Sequence, residues 1–405
     1  MSDTQVPKGA RVRLGAVDGN LDAEHGSTID ADGAVRVSGD VRFSGNVTVE
    51  GSLACKSFRS ANGRVRVHGD FTVAESVSTD EGELEITGAF KAREVDVDHI
   101  LTLGGPAVVE DIEVGGRLQG ASTLTAREVS VGGKFVLVGK VEATKVEAGG
   151  SVELGEVSLE DLEVGGFVRI RSGAVRHRIQ VGGKFTSEGP LTFGAFEAGG
   201  FAEFEDTAQG GDVEVGGVMV ARKDLTFGSL EVGGMGEIRG SGRGRSVEIG
   251  GKFSVGGALE LTGSLEVGGI ISVQEGLRAD SLEVGGKISA ERAIINGTAE
   301  IGGTVTTRSG LKAQRIELGH KSRATGPLVG GHVRLDRGAR AEEIYGDLVE
   351  LDRKCEARRI VAREIRIRDG SSVDEVVFTE SLQMDGGSAV RATPQKVATL
   401  PAFPL

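Results

Sequence analysis

The sequence is short of the residues that build most globular cores and most active sites. In 405 residues it has no tryptophan, one tyrosine, seven prolines, four methionines and two cysteines. Two lone thiols, Cys55 and Cys355, cannot make a disulfide framework and suit a reducing compartment. No stretch approaches the ~20 consecutive apolar residues of a membrane-spanning helix. Met1 to Ala10 holds no basic segment leading into an apolar run, so a signal peptide is not expected there. Basic residues are outnumbered, 47 against 60, for a formal net charge of -13. That disfavours a nucleic-acid partner, which needs a basic face. Apolar spacing with a period of 3.6 is missing as well, which argues against helices.

Glycine is what the chain has in excess, 66 residues, and it is placed in register. The run Ile112-Glu113-Val114-Gly115-Gly116 is followed by variants of itself, with the first glycine recurring at positions 132, 149, 165, 182, 199 and onward to Gly319. The steps are 17 residues, except one of 16 and one of 18. A flexible linker has no such beat. A fixed short period marks a repeat architecture in which each unit buries its apolar face only against its neighbours. Within one period, Val146, Ala148, Gly150, Val152 and Leu154 alternate with polar residues, then Val157 and Leu159, then Leu162 and Val164. Steps of two are strand alternation, and the two steps of three mark corners. A pair of helices needs ~30 or more residues per repeat. The expectation is therefore all-β: a single long parallel β-helix solenoid of roughly triangular section, about 17 residues per coil, with coils ~4.8 Å apart. On this winding the two cysteines are too far apart to bridge. Parallel connections favour right-handed crossovers, and turns of 16 to 18 residues fit poorly with the hexapeptide frame of left-handed β-helices, so a right-handed winding is expected.

Along the chain, residues 1–11 read as a polar tail and 12–391 as the β-helix. Within it, 12–38 reads as an irregular first coil or cap and 320–343 as an irregular insertion, after which the beat resumes at Tyr345, Ala362 and Thr379 with Ile344, Val361 and Phe378 inward. Residues 392–405 carry Pro394, Pro401 and Pro404 and read as a tail, because proline cannot donate to a ladder.

Stacking turns each register position into a row. Two residues before the first glycine stands a row running from Glu113 to Glu317, broken only by Ser130 and Gln180. Carboxylates ~4.8 Å apart repel one another. The row could bind cations or a partner, but a solvated face that blocks side-by-side pairing is the preferred reading. The first glycine of each pair should face outward and the second inward. The row just after the pair should be exposed. It is mostly polar but includes Phe167, Phe201, Val218, Met235 and Ile270, which makes a candidate lateral contact to a second rod or a membrane surface. The following row, with Phe135, Phe185, Phe253 and Ile271, should be core.

No catalytic or cofactor constellation is visible. The six histidines fall on scattered registers, with only His320 and His332 near one another, so no metal site is expected. The segment Gly240-Ser241-Gly242-Arg243-Gly244 lacks the Lys-Ser/Thr of a phosphate-binding loop. Paired carboxylates for acid–base work occur in no single coil. The expectation is no enzyme, no cofactor and no metal.

The Gly-x-aliphatic hexads Gly39-Asp40-Val41, Gly45-Asn46-Val47 and Gly51-Ser52-Leu53, with the runs Gly346–Leu351, Ala357–Ile360 and Arg363–Ile367, resemble the bactofilins. The likeness is one of pattern over most of the chain. This chain is longer than the usual bactofilin and adds the Val-Gly-Gly beat. The resemblance implies a nucleotide-independent cytoskeletal homopolymer, built end to end and serving cell shape or envelope positioning. It also implies a cytoplasmic location, alone or against the inner face of the membrane, with peripheral membrane or envelope-associated proteins as further partners. Both ends of such a winding present unpaired backbone groups. The apolar residues near them, Val12, Leu14 and Val17 at one end and Val376, Val377, Phe378, Leu382 and Met384 at the other, are the candidate polymer-end interface. The alternatives are a non-polymerising scaffold that displays the acidic row and the glycine strip, or a surface or carbohydrate-active β-helix.

Overall fold

The computed structural model describes residues 3–404, and their regular structure is entirely β-strand. Contacts divide the chain into two compact units, the first ending at Gly199 and the second beginning at Gly200. Each is a parallel β-solenoid with about 17 residues per turn, and the two together make about 23 turns. In the second unit one turn comprises Phe201–Phe204, Ala208–Gly210 and Val213–Val215. The next comprises Val218–Ala221, Leu225–Thr226 and Ser229–Val232. Each strand pairs in parallel with its counterpart one turn on: Phe201 with Val218, Ala208 with Leu225, Val213 with Leu230. Three strands per turn follow from the two three-residue steps in the apolar pattern, which bend the chain where the inward set resets. In the first unit the corners are smoother, and single strands such as Ser151–Val164 run through nearly a whole turn.

The core is a set of columns, because parallel in-register pairing puts like on like. One runs Val232, Ile249, Val267, Val284, Ile301 and Leu318, every member 0–2% exposed. Burying each such side chain contributes about 1.5–3 kcal/mol. In the first unit Phe43, Phe58, Phe71 and Phe90 form a chain of rings with centroids 5.2–5.7 Å apart. Phe135, Phe185, Phe253 and Ile271 are fully buried, as their register requires.

The glycine pair is a steric requirement of the corner. A Cβ on Gly132 would stand 2.3 Å from the carbonyl oxygen of Gly115, and one on Gly133 would stand 2.4 Å from that of Gly116. Both missing side chains would run into the turn below, so the second glycine does not face inward as its alternation suggests. The close approach lets the parallel ladder continue round the bend, with the Gly132 amide donating to the Val114 carbonyl at 2.8 Å and the Lys134 amide to that of Gly116 at 2.9 Å.

Three boundaries differ from the sequence expectation. Thr4–Val6 is already a strand, paired with Leu21–Ala23, so winding begins inside the stretch read as a tail. Residues 12–38 are wound and paired, Arg11–Val17 to Ser27–Val37, with the register shifting between Leu14 and Ala16 and again between Asp30 and Ala34, an irregular first coil as read. Residues 320–343 are no insertion: Arg323–Leu335 is a turn paired on both sides, with register shifts between Thr306 and Leu311 and between Ala324 and Pro327. There the corner changes from a glycine pair to a four-residue turn, Asp336-Arg337-Gly338-Ala339 and its equivalents, and the beat shortens. Leu335 pairs with Leu351 and Leu351 with Ile367, steps of 16. Tyr345, Ala362 and Thr379 are therefore not equivalent; Ile344, Ile360 and Val376 form the inward row, and Val361 stacks with Tyr345. The last boundary is the C-terminal segment, which folds back as a strap. Gln395–Lys396 pairs with Val377 and Phe378, and Val397, Leu400 and Phe403 pack on Val329, Tyr345, Val361 and Val377.

Candidate functional site

The C-terminal end of the winding is where the core columns stop. The column that is 0–2% exposed through Leu318, Leu335, Leu351 and Ile367 ends at Met384, which is 39% exposed. The neighbouring column through Val333, Val349 and Ile365, each fully buried, ends at a half-buried Leu382. Both side chains occupy core positions and lack the turn that would cover them. Among the described residues no strand pairs with the far edge of Ser381–Met384. Phe378 is half-buried at the end of a column of small residues, Gly330, Gly346 and Ala362, and its carbonyl accepts the Val397 amide at 2.9 Å. Val376 is fully buried in the interior and Val377 lies beneath the strap, so neither is available at the end face. At the N-terminal end, Val12 is half-buried where its column partners Ile29, Val49 and Val67 are fully buried. Leu14 is half-buried too, while Val17 is 5% exposed and belongs to the core. Of the eight residues expected at the ends, Val12, Leu14, Phe378, Leu382 and Met384 remain accessible.

The row after the glycine pair lies on the outside, as expected. In the second unit Phe201, Val218 and Met235 are consecutive in register, followed by Lys252 and Ile270. Met235 is 51% exposed and Ile270 46%, whereas Phe201 and Val218 are half-buried, so the patch is lower and smaller than a fully exposed row. In the first unit the same row reads Arg117, Lys134, Ser151 and Phe167, the phenyl ring 63% exposed. These side chains and His99 flank a shallow trough of about 880 Å³ floored by Gly116, Gly133, Gly150 and Gly166. Lys134 Nζ lies 2.6 Å from Glu153.

The carboxylate row has two characters. In the first unit Glu147 is paired with Lys145 and Glu197 with Arg178. In the second, Glu214, Glu231, Glu248, Glu266, Glu283 and Glu300 are in register and exposed, and none has an ion pair among the described residues. Beyond Glu317 the row alternates, Arg334, Glu350, Arg366. Burial opposes ionisation of Glu350, but hydrogen bonds from His332 at 2.9 Å and Arg366 at 2.9 Å outweigh it and hold its carboxyl below the usual range. His332 is thus engaged with Glu350 on its own ladder and not with His320. Among the described residues no group of three or more His, Cys, Asp or Glu is placed to hold a metal ion. Burial, with Asp40 nearby, pushes the Cys55 thiol up to about 12, which makes it a poor nucleophile.

Sequence reasoning missed the strap. Its signal is the pair of adjacent apolar residues in successive turns, Leu328-Val329, Ile344-Tyr345, Ile360-Val361 and Val376-Val377. Strict alternation buries one member, and the other needs a cover of its own. Among the described residues no helix is long and apolar enough to cross a membrane. No family model matches this chain, and no curated protein or solved structure is detectably similar to it.

Proposed function

We propose that this chain is a structural, non-enzymatic scaffold that joins end to end with copies of itself into nucleotide-independent filaments, which support cell shape or position other proteins. One observation carries the reading: Leu382 and Met384 are the uncovered last members of core columns that are otherwise dry. A second copy laid in parallel on that edge extends the backbone ladder and covers both side chains at once. Half-buried Val12 and Leu14, at the N-terminal edge of the first unit, are the complementary apolar pair. The resemblance of the hexads at 39–53 to the bactofilins supports the same role and an intracellular site, as do two free, buried thiols. The patch at Phe201, Val218 and Met235 gives such filaments a lateral contact, to one another or to a membrane- or envelope-associated partner. Electron microscopy of the purified protein without nucleotide tests this. Filaments are expected, and Met384→Arg should leave short particles of unchanged fold. Unaltered filaments in that variant would refute the assignment of this edge.

A second reading is a binding scaffold that works without polymerising. The trough floored by Gly116, Gly133, Gly150 and Gly166 and closed at one end by Phe167 favours it. Single particles at every concentration, together with loss of partner capture in Phe167→Ser, would select it.

A further inference from the structure

The strap covers a surface that is a docking site in its own right. Val329, Tyr345, Val361 and Val377 stand in register on four successive turns and form an apolar cluster of their own with Val397, Leu400 and Phe403. The rings of Tyr345 and Phe403 lie 5.6 Å apart. The strap itself is held by little else: a two-residue strand, Gln395–Lys396, and the amide of Val397 on the carbonyl of Phe378. The stretch before it is docked, Ala389–Val390 pairing with Ser372 and Val373 and the Arg391 and Ala392 amides donating to the carbonyls of Val373 and Asp374 at 2.9 Å, so the strap departs at Thr393-Pro394.

The strap supplies three apolar anchors, Val397, Leu400 and Phe403, with prolines at 394, 401 and 404. All three are half-buried and pack on the ladder, which spans three turn-to-turn steps, ~14 Å. An identical strap from another copy presents the same three anchors. Contacts made within one copy and between two are the same, and exchange of an identical element between protomers is a low-cost route to dimers.

We propose that the ladder Val329–Tyr345–Val361–Val377 is a peptide-docking surface whose second occupant is the strap of another copy, so that two chains pair side by side by exchanging residues 395–404. The apolar ladder lies on a side of its unit, and Gln395–Lys396 pairs on the terminal edge of the last strand at Val377 and Phe378, away from Leu382 and Met384. Met384→Arg should abolish filaments and leave strap exchange intact.

Disulfide trapping in the full chain tests it, since Cys55 and Cys355 are buried and do not compete. Chains carrying Tyr345→Cys are mixed with chains carrying Phe403→Cys and oxidised. A covalent pair linked 345 to 403 is expected, increasing with concentration, and the double variant should close on itself when dilute. Failure of the mixture to cross-link while the double variant closes would overturn the exchange; failure of both would overturn the ladder as a docking site. A second measurement avoids variants that misfold. A fluorescent peptide of residues 392–404 should bind the unmodified chain weakly and the Phe403→Asp chain at least tenfold more tightly, because the tethered strap competes at high effective concentration. Equal binding to both chains, or to neither, contradicts the proposal.

Discussion

The second unit builds its turns in two ways, and the contrast explains most of its chemistry. From Gly200 to Leu318 the corner is a glycine pair, the beat is mostly 17, and the outer row is unbroken glutamate. From Arg323 to Met384 the corner is a four-residue turn, the beat falls to 16, and the outer row alternates in sign. In the turn-type corner a residue in the left-handed region, Gly338, Lys354 or Gly370, precedes a buried small one, Ala339, Cys355 or Ser371. A hydrogen bond closes it, as from the Ala339 amide to the Asp336 carbonyl at 3.0 Å. The glycine pair gives a corner that excludes side chains altogether. The turn gives one that tolerates them where the backbone allows, and it brings opposite charges into register. The first turns of the other unit use the second device too, with Gly9 and Gly26 left-handed.

The contrast can be broken most severely at the glycines. Gly233→Ala would put a Cβ 2.5 Å from the Gly216 carbonyl oxygen. It should cost about 1–3 kcal/mol by overpacking. The corner glycine Gly338 has space, its nearest atom being Lys321 Cγ at 3.4 Å, and Gly338→Asn should cost less than half as much because asparagine tolerates φ of 76°. Denaturant unfolding of the two variants checks the order, and equal losses would mean the corners are not distinct. The next largest effect is a gain. Lys354 holds φ of 60°, and Lys354→Gly should stabilise by roughly 1 kcal/mol, raising the unfolding midpoint.

Charge sharpens the comparison at lower amplitude. Glu248→Gln relieves like-charge repulsion and should stabilise by a few tenths of a kcal/mol at low salt, with the gain fading as salt rises. Glu350→Gln should destabilise, because it removes the partner of His332 and Arg366. If both changes moved stability the same way, the two rows would not differ electrostatically. The smallest effect concerns acid. The folded state holds the Glu350 carboxyl below its unfolded value, so its contribution is fully present above the ordinary carboxylate range and is lost as pH falls through the lowered folded value. Wild type and Glu350→Gln should therefore converge in stability on acidification, as followed by unfolding at a series of pH values.

These two constructions also account for what was legible in the sequence. Where a glycine pair marks every corner, counting glycines gave the turn length, the core rows through Phe253 and Ile271, and the outer row through Met235. Past Gly319 the corner no longer needs glycine, so the count failed. A paired turn at 323–335, shifted in register against its neighbours, then looked like an insertion, and Val361 looked like an inward residue. The ends were harder for a different reason. Val376 and Met384 are equally apolar and lie on one strand, Ser372–Met384; the folded-back C-terminal segment pairs beside Val376, at Val377 and Phe378, and leaves Met384 uncovered. The strap was read from its prolines as the end of pairing, although Val397, Leu400 and Phe403 carried a period of three. Their cover is the ladder Val329, Tyr345, Val361 and Val377, which exists as a surface only once four turns are stacked.

The central claim is that uncovered core columns make the ends adhesive. Sedimentation velocity of the full chain over a rising concentration series, with the Leu382→Arg, Met384→Arg double variant alongside, tests it most directly. The account predicts progressively larger species for the natural sequence and a species that does not lengthen for the double variant. One concentration-independent species for both would contradict it.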